Sequence, residues 1–250
     1  MMALLKRIVQ GEALVFVQSA LWSVPPLVRT SREAWVKAFL DVWLEATQPD
    51  TTLVMPTFTF AYCRTRTFSR AETPSEAGQL TEAFRGAPGV QRSAHPIYSV
   101  AALGPLAAEV CRHPGPTCLG EGTPFEYMEE HDALVVGFGK PFIEGLTLIH
   151  RVEEMQRVSY RYFKTFQGTA DGQAVSPNFY VRRLDTPVKY DYARLCADLE
   201  QRGVLRRYLP EAGWVETMRT RAFVRRFGDL LAADPLYLVA AQQPVVVDRA

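Results

Sequence analysis

The sequence has few of the features that mark secreted, metal-binding or membrane-spanning proteins. Its 250 residues include four cysteines, and no two of them have the spacing of a C-x-x-C or zinc motif. No run of eighteen apolar residues occurs, which argues against a membrane span. We therefore expect reduced thiols, no bound metal and no association with a membrane.

Net charge is also nearly absent. The 28 basic and 27 acidic side chains leave a formal charge of +1, so no strong field exists to attract nucleic acid. The first residues, Met1-Met-Ala-Leu-Leu-Lys-Arg, are apolar before they are basic and do not have the layout of a signal peptide. Together these features predict a cytoplasmic protein with no nucleic-acid partner.

Buried strands alternate with amphipathic helices along the chain. Apolar runs at 13–18, 52–56 and 133–139 predict strands, and the spacing of apolar residues predicts helices over 35–46, from 147 and over 190–201. A further short helix is expected over 73–84 with Ser75 as its cap, and Ala170-Asp-Gly172 indicates a hairpin. We predict one α/β domain over residues 1–250, with a mostly parallel or mixed central sheet flanked by helices and a small β-rich insertion.

The segment from Thr147 to Glu154 is the most informative stretch. On a helix, His150 shares a face with Glu153 and Glu154, and Thr147 lies one turn earlier. Ile149, Val152 and Met155 are expected on the opposite, buried face. A histidine held by a carboxylate is suited to act as a general base, although the same spacing occurs on ordinary solvated helices.

Two other segments combine residue types that can bind ligands. One segment has a proline surrounded by Arg92, Ser93, His95 and Ser99. Its hydroxyl and guanidinium donors suit phosphate or carbonyl oxygens of a ligand. The alternative is that these side chains cap a local turn. The segment Gly120-Glu-Gly122-Thr123-Pro124 is either a close backbone approach to a ligand or the start of a helix. Cys118 or Cys63 as a nucleophile is a further option.

The ordered set of motifs resembles the aminoglycoside 3-N-acetyltransferase family. The matching pieces include Val17-Gln-Ser19-Ala-Leu21, Leu53-Val-Met-Pro56-Thr57, Gly89-Val-Gln-Arg92-Ser93-Ala-His95-Pro96, Thr123-Pro-Phe125, Gly137-Phe-Gly139, Thr147-Leu-Ile-His150-Arg-Val-Glu153 and Tyr160-Arg161. In outline the resemblance extends over residues 10 to 240, and it is densest between Leu53 and Arg161.

The resemblance implies an acetyl-CoA-dependent N-acetyltransferase that needs no metal and forms no covalent enzyme intermediate. His150 would be the general base on the acceptor amine and Glu153 would support it, with Thr147 a candidate donor to the developing oxyanion. Ser19, Arg92, Ser93, His95 and Ser99 would line the acetyl-CoA side.

The first turn departs from the family pattern. The family usually has His-Ser-Ser-Leu there, whereas this chain has Gln18-Ser19-Ala20-Leu21, followed by Val24-Pro25-Pro26-Leu27 in place of a glycine-rich stretch. The change removes one hydroxyl and stiffens the loop, so we expect weaker cofactor contacts.

The acceptor is a small-molecule amine whose identity stays open. Glu121 and Glu154 are expected to bind it as part of a local acidic pocket. The near-neutral charge and an arginine-rich last third favour a weakly charged amine over a polycationic aminoglycoside. A biosynthetic acyltransferase on an amino-sugar nucleotide or antibiotic precursor and an inactive binding module are the alternatives, and a homodimer is one option for the assembly.

Overall fold

A computed structural model describes residues 2–24, 30–112, 115–139, 142–185, 188–208 and 214–240. Its α-helices are α1 (Met2–Val9), α2 (Arg32–Thr47), α3 (Tyr62–Thr65), α4 (Gln79–Arg85), α5 (Ala107–Arg112), α6 (Pro124–Glu130), α7 (Thr147–Met155), α8 (Tyr192–Gln201) and α9 (Thr220–Ala233). Its strands are β1 (Leu14–Ser19), β2 (Thr52–Pro56), β3 (Thr67–Phe68), β4 (Gln91–Arg92), β5 (Val100–Leu103), β6 (Leu134–Gly139), β7 (Arg161–Thr165), β8 (Gly168–Ala170), β9 (Gln173–Val175), β10 (Asn178–Arg182), β11 (Arg206–Tyr208) and β12 (Trp214–Arg219).

The central sheet is mixed, with parallel strands at its middle. Seven strands follow the order β11-β12-β6-β1-β2-β5-β4. β1 pairs in parallel with both β2 and β6, and the strands on either side of this group add antiparallel partners. Parallel strands are buried on both faces, which explains why β1, β2 and β6 are nearly continuous apolar runs. The predicted fold class is confirmed in its mixed form.

The two faces of the sheet carry separate apolar layers. Along β1, Leu14 and Phe16 pack into one buried cluster with residues of α6, α7, α8 and α9, whereas Val15 and Val17 pack into another with residues of α1, α2 and α4. Successive side chains of a strand point to opposite faces. At the carboxyl end of β1, Gln18 therefore faces the α7 layer and Ser19 faces the α2 layer.

The predicted β-rich insertion is present after α7. β7 and β10 form an antiparallel pair, and β3, β8 and β9 form a small second sheet. Asp171 and Gly172 have φ values of 48° and 78° in the turn between β8 and β9, as the Asp-Gly hairpin signal predicts. No helix among the residues that the structure describes is both long and apolar enough to cross a membrane.

The helix predicted over 73–84 begins later than expected. α4 starts at Gln79, and Gly78, with a φ of 128°, precedes it as the N-cap residue. Ser75 does not cap this helix, because its hydroxyl accepts a hydrogen bond from the backbone nitrogen of Ala77 in a local turn. A short polar side chain of this kind competes with helix formation by bonding to nearby main chain. By contrast, the predicted cap of α2 is confirmed, since Ser31 accepts from Ala34.

Candidate active site

The helix that carries His150 begins at the carboxyl end of the parallel strands. α7 starts at Thr147, shortly after β6 ends, and its N-cap residue Leu146 supplies no side-chain hydrogen bond to the helix. The side chain of Gln18 from β1 takes this role, because its Oε1 accepts from the backbone nitrogen of Thr147 at 3.2 Å. The open end of a parallel sheet is where α/β proteins usually place ligand sites.

His150 and Glu153 are in direct contact on α7. The Nδ1 atom of His150 lies 2.7 Å from Oε2 of Glu153. The His150 side chain is 28% exposed, whereas Glu153 is fully buried. One edge of the imidazole ring is therefore held by a carboxylate while the ring remains partly exposed.

Arg161, at the start of β7, completes this group. Its Nε lies 2.8 Å from Oε2 of Glu153, and its Nη2 lies 2.9 Å from both Nδ1 of His150 and the hydroxyl of Tyr190. Burial is the largest single influence and lowers the pKa of the guanidinium, but Glu153, Tyr190 and Tyr98 together raise it by more, so the pKa lies above its ordinary value. Sequence reasoning assigned Arg161 no role, although the Tyr160-Arg161 dipeptide belonged to the matching motifs.

Arg161 and Glu153 compete for the same nitrogen of His150. An arginine N–H only donates and a carboxylate only accepts, so Nδ1 is bare when it bonds to Arg161 and protonated when it bonds to Glu153. A ring that takes a proton on Nε2 must carry its hydrogen on Nδ1 beforehand. Glu153 is therefore the partner that favours the basic tautomer.

The surroundings of Glu153 are apolar and aromatic. Tyr160 is buried, and burial, together with the charge of Glu153, raises the pKa of its hydroxyl. Tyr190 lies against Tyr160 with ring centroids 6.1 Å apart. In such a setting a charge–charge contact is much stronger than it is in water, so the pairing of Glu153 with Arg161 keeps the carboxylate in place.

The other polar residues of α7 are turned toward the protein. Met155, expected on the buried face, is 49% exposed, and Glu154, expected to face the pocket, is buried. The reason is that Arg151 donates to the carbonyl of Leu119 at 2.6 Å and pairs with Glu129 at 2.7 Å, which draws this side of the helix under the 117–120 loop. Ile149 and Val152 are buried as expected, but the expectation of a buried Met155 and an open Glu154 is wrong.

Glu154 and Glu121, the predicted acceptor ligands, have different surroundings. Burial raises the pKa of the Glu154 carboxyl. A Cβ atom on Gly120 would lie only 2.6 Å from its Oε1, so this loop passes directly over the carboxylate. Glu121 is exposed in the same loop. Their contact with an acceptor stays a prediction, and the structure does not join Glu154 to the group of His150, Glu153 and Arg161.

Arg92 is enclosed by protein acceptors. Its guanidinium is buried, and burial lowers its pKa to about 10. Every one of its nitrogens donates to the protein: Nε to the hydroxyls of Thr57 and Ser99, Nη1 to the carbonyls of Arg70 and Thr73, and Nη2 to the carbonyl of Thr57 and the hydroxyl of Thr59. A contact from Arg92 to acetyl-CoA stays a prediction, and it would require one of these bonds to be exchanged.

The neighbours of Arg92 in the motif are also buried and bonded locally. The Ser93 hydroxyl accepts from the backbone nitrogen of Val100 at 2.9 Å, and Ser99 donates to the carbonyl of Thr57 at 2.7 Å. Nδ1 of His95 accepts from the backbone nitrogens of Ile97 and Tyr98, and burial lowers the pKa of His95 to about 3. The predicted cofactor role of Ser93, His95 and Ser99 remains untested by this geometry.

Ser19 lines an open cavity on the other face of β1. The cavity has a volume of about 670 Å³, and its walls include Ser31, the N-cap residue of α2, together with Arg32 and Trp35. Its size lies within the range of small-molecule sites. Residues 25–27 of the predicted Gln18-to-Leu27 turn lie outside the described residues.

Neither thiol proposed as a nucleophile has the properties of one. Cys118 is buried, and burial raises the pKa of its thiol well above the ordinary value. Burial likewise raises the pKa of Cys63. A reactive thiol needs a lowered pKa and access to solvent. Within the described part of the chain, no group of three or more His, Cys, Asp or Glu side chains could hold a metal ion.

Comparison with known proteins identifies the family. The family model described as aminoglycoside 3-N-acetyltransferase matches residues 16–232. The chain belongs to the aminoglycoside 3-N-acetyltransferase family. All the residues of the candidate site lie within the matched range.

Individual relatives agree with the family match. Aminoglycoside N(3)-acetyltransferase IX of Micromonospora chalcea is 33% identical over 147 residues, which cover 57% of this chain and 51% of that protein. Aminoglycoside N(3)-acetyltransferase III of Serratia marcescens is 34% identical over 91 residues, or 36% of this chain and 34% of that protein. The alignment therefore spans about half the length of the first of these relatives, and less of the second.

The fold matches that of a solved acetyltransferase. The crystal structure of the aminoglycoside acetyltransferase AAC(3)-IVa apoenzyme superposes with a TM-score of 0.76 at 24% identity, over 97% of this chain and 92% of that one. At this identity the likeness establishes the fold.

Proposed function

We propose that the protein is an acetyl-CoA-dependent N-acetyltransferase that acylates a primary amine of an aminoglycoside-like acceptor. Family membership and the names of both relatives support N-acetyl transfer to an aminoglycoside. They favour it over the alternatives of an amino-sugar nucleotide, an antibiotic precursor or an inactive binding module. The expectation of a weakly charged acceptor has less support for a physical reason: several of the arginines behind it are paired with carboxylates, as Arg226 is with Asp198.

The contact of His150 with Glu153 carries this proposal. An ammonium group is not nucleophilic until it loses a proton, so the reaction needs a base next to the acceptor amine. His150 takes this proton on Nε2 as the amine attacks, and Glu153, 2.7 Å from Nδ1, stabilises the imidazolium that results. The proton then passes from His150 to the departing thiolate.

Acetyl-CoA supplies the activated acetyl group as a thioester. The cavity beside Ser19 suits its anionic part, because the amino end of the sixteen-residue helix α2 and the side chain of Arg32 both border it. Its position on the α2 face of β1, with His150 beyond the α7 face, allows donor and acceptor to approach the strand end from opposite sides. This arrangement fits direct transfer within one complex.

A covalent acetyl-enzyme has less support. The raised pKa values of Cys118 and Cys63 keep both thiols protonated near neutral pH. We therefore expect no added acetyl mass on the protein after it is mixed with acetyl-CoA alone. A stoichiometric acetyl-cysteine that forms and disappears at the turnover rate would contradict direct transfer.

The deciding experiment is an amine panel with acetyl-CoA, followed through release of free thiol. The panel should contain gentamicin, kanamycin, an amino-sugar nucleotide and a simple primary amine. We expect turnover with at least one aminoglycoside and its loss in His150→Ala. Turnover confined to the amino-sugar nucleotide would favour a biosynthetic role. Absence of both turnover and acetyl-CoA binding by calorimetry would favour an inactive module.

A further inference from the structure

We propose that Gln18 is a positioning residue that keeps the hydroxyl of Thr147 turned toward the reacting carbonyl as a hydrogen-bond donor. This inference rests on the proposed acetyl transfer. Gln18 stands where the family usually has histidine, and the sequence suggested only that the change weakens cofactor contacts. In the structure its side chain instead lies against the start of α7.

Three hydrogen bonds fix the Gln18 amide. Its Oε1 accepts from the backbone nitrogen of Thr147 at 3.2 Å, and its Nε2 donates to the carbonyl of Gly145 at 3.0 Å and to Oγ1 of Thr147 at 3.0 Å. The amide thus uses its acceptor oxygen and both of its N–H groups. It connects the end of β1 to a helix that begins 129 residues later in the chain.

The main chain determines which way the amide is turned. A backbone N–H only donates and a backbone carbonyl only accepts, so Thr147 requires the amide oxygen and Gly145 requires the amide nitrogen. The third bond then has a fixed direction, in which Thr147 Oγ1 accepts from Gln18. An imidazole at this position has one nitrogen on each edge and does not supply an acceptor and two donors together.

The direction of this bond determines what the Thr147 hydroxyl can do. Because its oxygen accepts from Gln18, its hydrogen points away from Gln18 and remains able to donate. Thr147 lies one turn before His150 on the same side of α7, at the amino end of the helix, where the backbone dipoles favour negative charge. A hydroxyl donor there suits the oxygen that becomes negative when the amine attacks the thioester.

Two substitutions of Gln18 separate positioning from simple capping. Gln18→Glu retains an acceptor for the Thr147 nitrogen and places negative charge at the amino end of α7, but it has no hydrogen to donate. The Thr147 hydroxyl then donates to the carboxylate and turns away from the substrate. Gln18→Ala removes the cap but leaves the hydroxyl free to rotate.

We expect turnover and stability to respond differently in the two variants. The melting temperature should fall in both, in Gln18→Ala because an N-cap is lost and in Gln18→Glu because a carboxylate oxygen then faces the carbonyl of Gly145. kcat should fall more in Gln18→Glu, by about tenfold or more with both KM values within about threefold of wild type, which approaches the scale of a lost oxyanion donor. A purely structural residue would make kcat follow the melting temperature in both variants, and that result overturns the proposal.

Gln18→Glu also adds a negative charge, and repeating it in a Thr147→Val protein controls for the effect of that charge. Thr147→Val removes the hydroxyl with little change in shape, so it should itself lower kcat by about tenfold or more. In that background Gln18→Glu should have little further effect, because its action passes through the hydroxyl. Additive losses of kcat in the double variant overturn the role of Gln18. A Thr147→Val enzyme with wild-type kcat also overturns it, and this test holds even if Gln18→Glu does not fold.

The same assays distinguish this inference from the proposed function. Wild-type turnover together with an unaffected Gln18→Glu enzyme overturns the role of Gln18 and leaves acetyl transfer standing. A wild-type protein that acetylates no amine overturns the proposed function, and the oxyanion role of Thr147 with it.

Discussion

The surroundings of His150 and His95 differ in almost every respect, although each histidine lies in a segment with an arginine and hydroxyl groups. His150 is half-buried, and its Nδ1 contacts a carboxylate and a guanidinium. His95 is fully buried, and its Nδ1 accepts two backbone N–H groups. Within the described residues, Nε2 of His95 has no hydrogen-bond partner.

The difference shows what a catalytic segment needs beyond the right residue types. All the guanidinium nitrogens of Arg92 and the Nδ1 atom of His95 are bonded within the fold, which suits residues that hold loops together. His150 retains an accessible ring edge, and Arg161 keeps its carboxylate partner Glu153 in place. We call residues 92–99 the sealed segment and residues 147–154 the open segment. Each should respond differently to substitution.

The largest effect is expected on stability, from Arg92→Ala. Removal of the guanidinium leaves several buried carbonyls and hydroxyls without donors, so the free energy of unfolding should fall by on the order of 3 kcal/mol. Arg92→Lys should recover only part of it, since an ammonium does not reproduce the fork of donors. Urea unfolding followed by circular dichroism measures the loss, with Arg64→Ala on the surface as the control.

The same variant tests the cofactor role implied by the family resemblance. If Arg92 supports the fold only, the folded fraction of Arg92→Ala should bind acetyl-CoA with an affinity close to that of the wild type. An Arg92→Ala protein with unchanged unfolding free energy and much weaker acetyl-CoA binding would instead assign Arg92 to the cofactor.

The next effect concerns the open segment. His150→Ala should lower kcat by about a hundredfold or more, the usual scale for a lost general base, and should leave the melting temperature nearly unchanged because the side chain is partly exposed. His131→Ala provides the matched control, since His131 is an exposed histidine that stacks on Tyr127. Full activity in a folded His150→Ala protein would end the proposed mechanism.

His95 should make stability depend on pH. Burial lowers its pKa from 6.5 to about 3 in the folded protein, so the unfolded chain binds a proton first as the pH falls. Stability should therefore decrease below pH 6.5 and continue to decrease toward pH 3, with a loss of about 2 kcal/mol from this group by pH 5.

His95→Asn removes this titration while it retains an oxygen to accept from the main chain. The variant is expected to be less stable at pH 7 and to have a flatter pH dependence between pH 7 and 5. Denaturant unfolding at a series of pH values measures both quantities. Identical pH dependence in the two proteins would show that His95 is not held neutral in the fold.

Much of the fold was predictable because its signals are local. The buried strands β1, β2 and β6 appear as apolar runs, Ser31 caps α2 as expected, and the Asp171-Gly172 turn follows from its backbone requirements. The first residue of α4 was not predictable, because Ser75 and Gly78 both lie at plausible helix boundaries. Tertiary contacts decide between them.

The site was predictable only where its residues lie on one helix. His150 and Glu153 are one turn apart, so helical spacing alone brings them together. Arg161 reaches them from β7, and Gln18 reaches Thr147 of the same helix from β1. No local pattern contains that information. The side of α7 that carries Glu154 was wrongly expected to be open, because Arg151 bonds to the carbonyl of Leu119 and to Glu129 under the 117–120 loop, and helical spacing does not reveal where Arg151 points.

Arg161 provides the smallest and most selective test of the open segment. Arg161→Lys keeps a positive charge near Glu153 but loses the second and third donors that reach His150, Tyr180 and Tyr190. Because Glu153 then lacks a rigid partner, its carboxylate should hold His150 less well. We expect kcat to fall by about tenfold with KM values little changed.

A matched pair of variants separates orientation from charge. Arg161→Gln removes the charge as well, so it leaves the buried carboxylate of Glu153 uncompensated and should lower both kcat and the melting temperature. Arg161→Lys should retain more of the stability than of the activity, because a nearby ammonium still offsets the buried charge. If Arg161→Lys instead has wild-type kcat, the charge near Glu153 suffices, and the ordered contacts of Arg161 with His150 and Tyr190 are not needed for turnover.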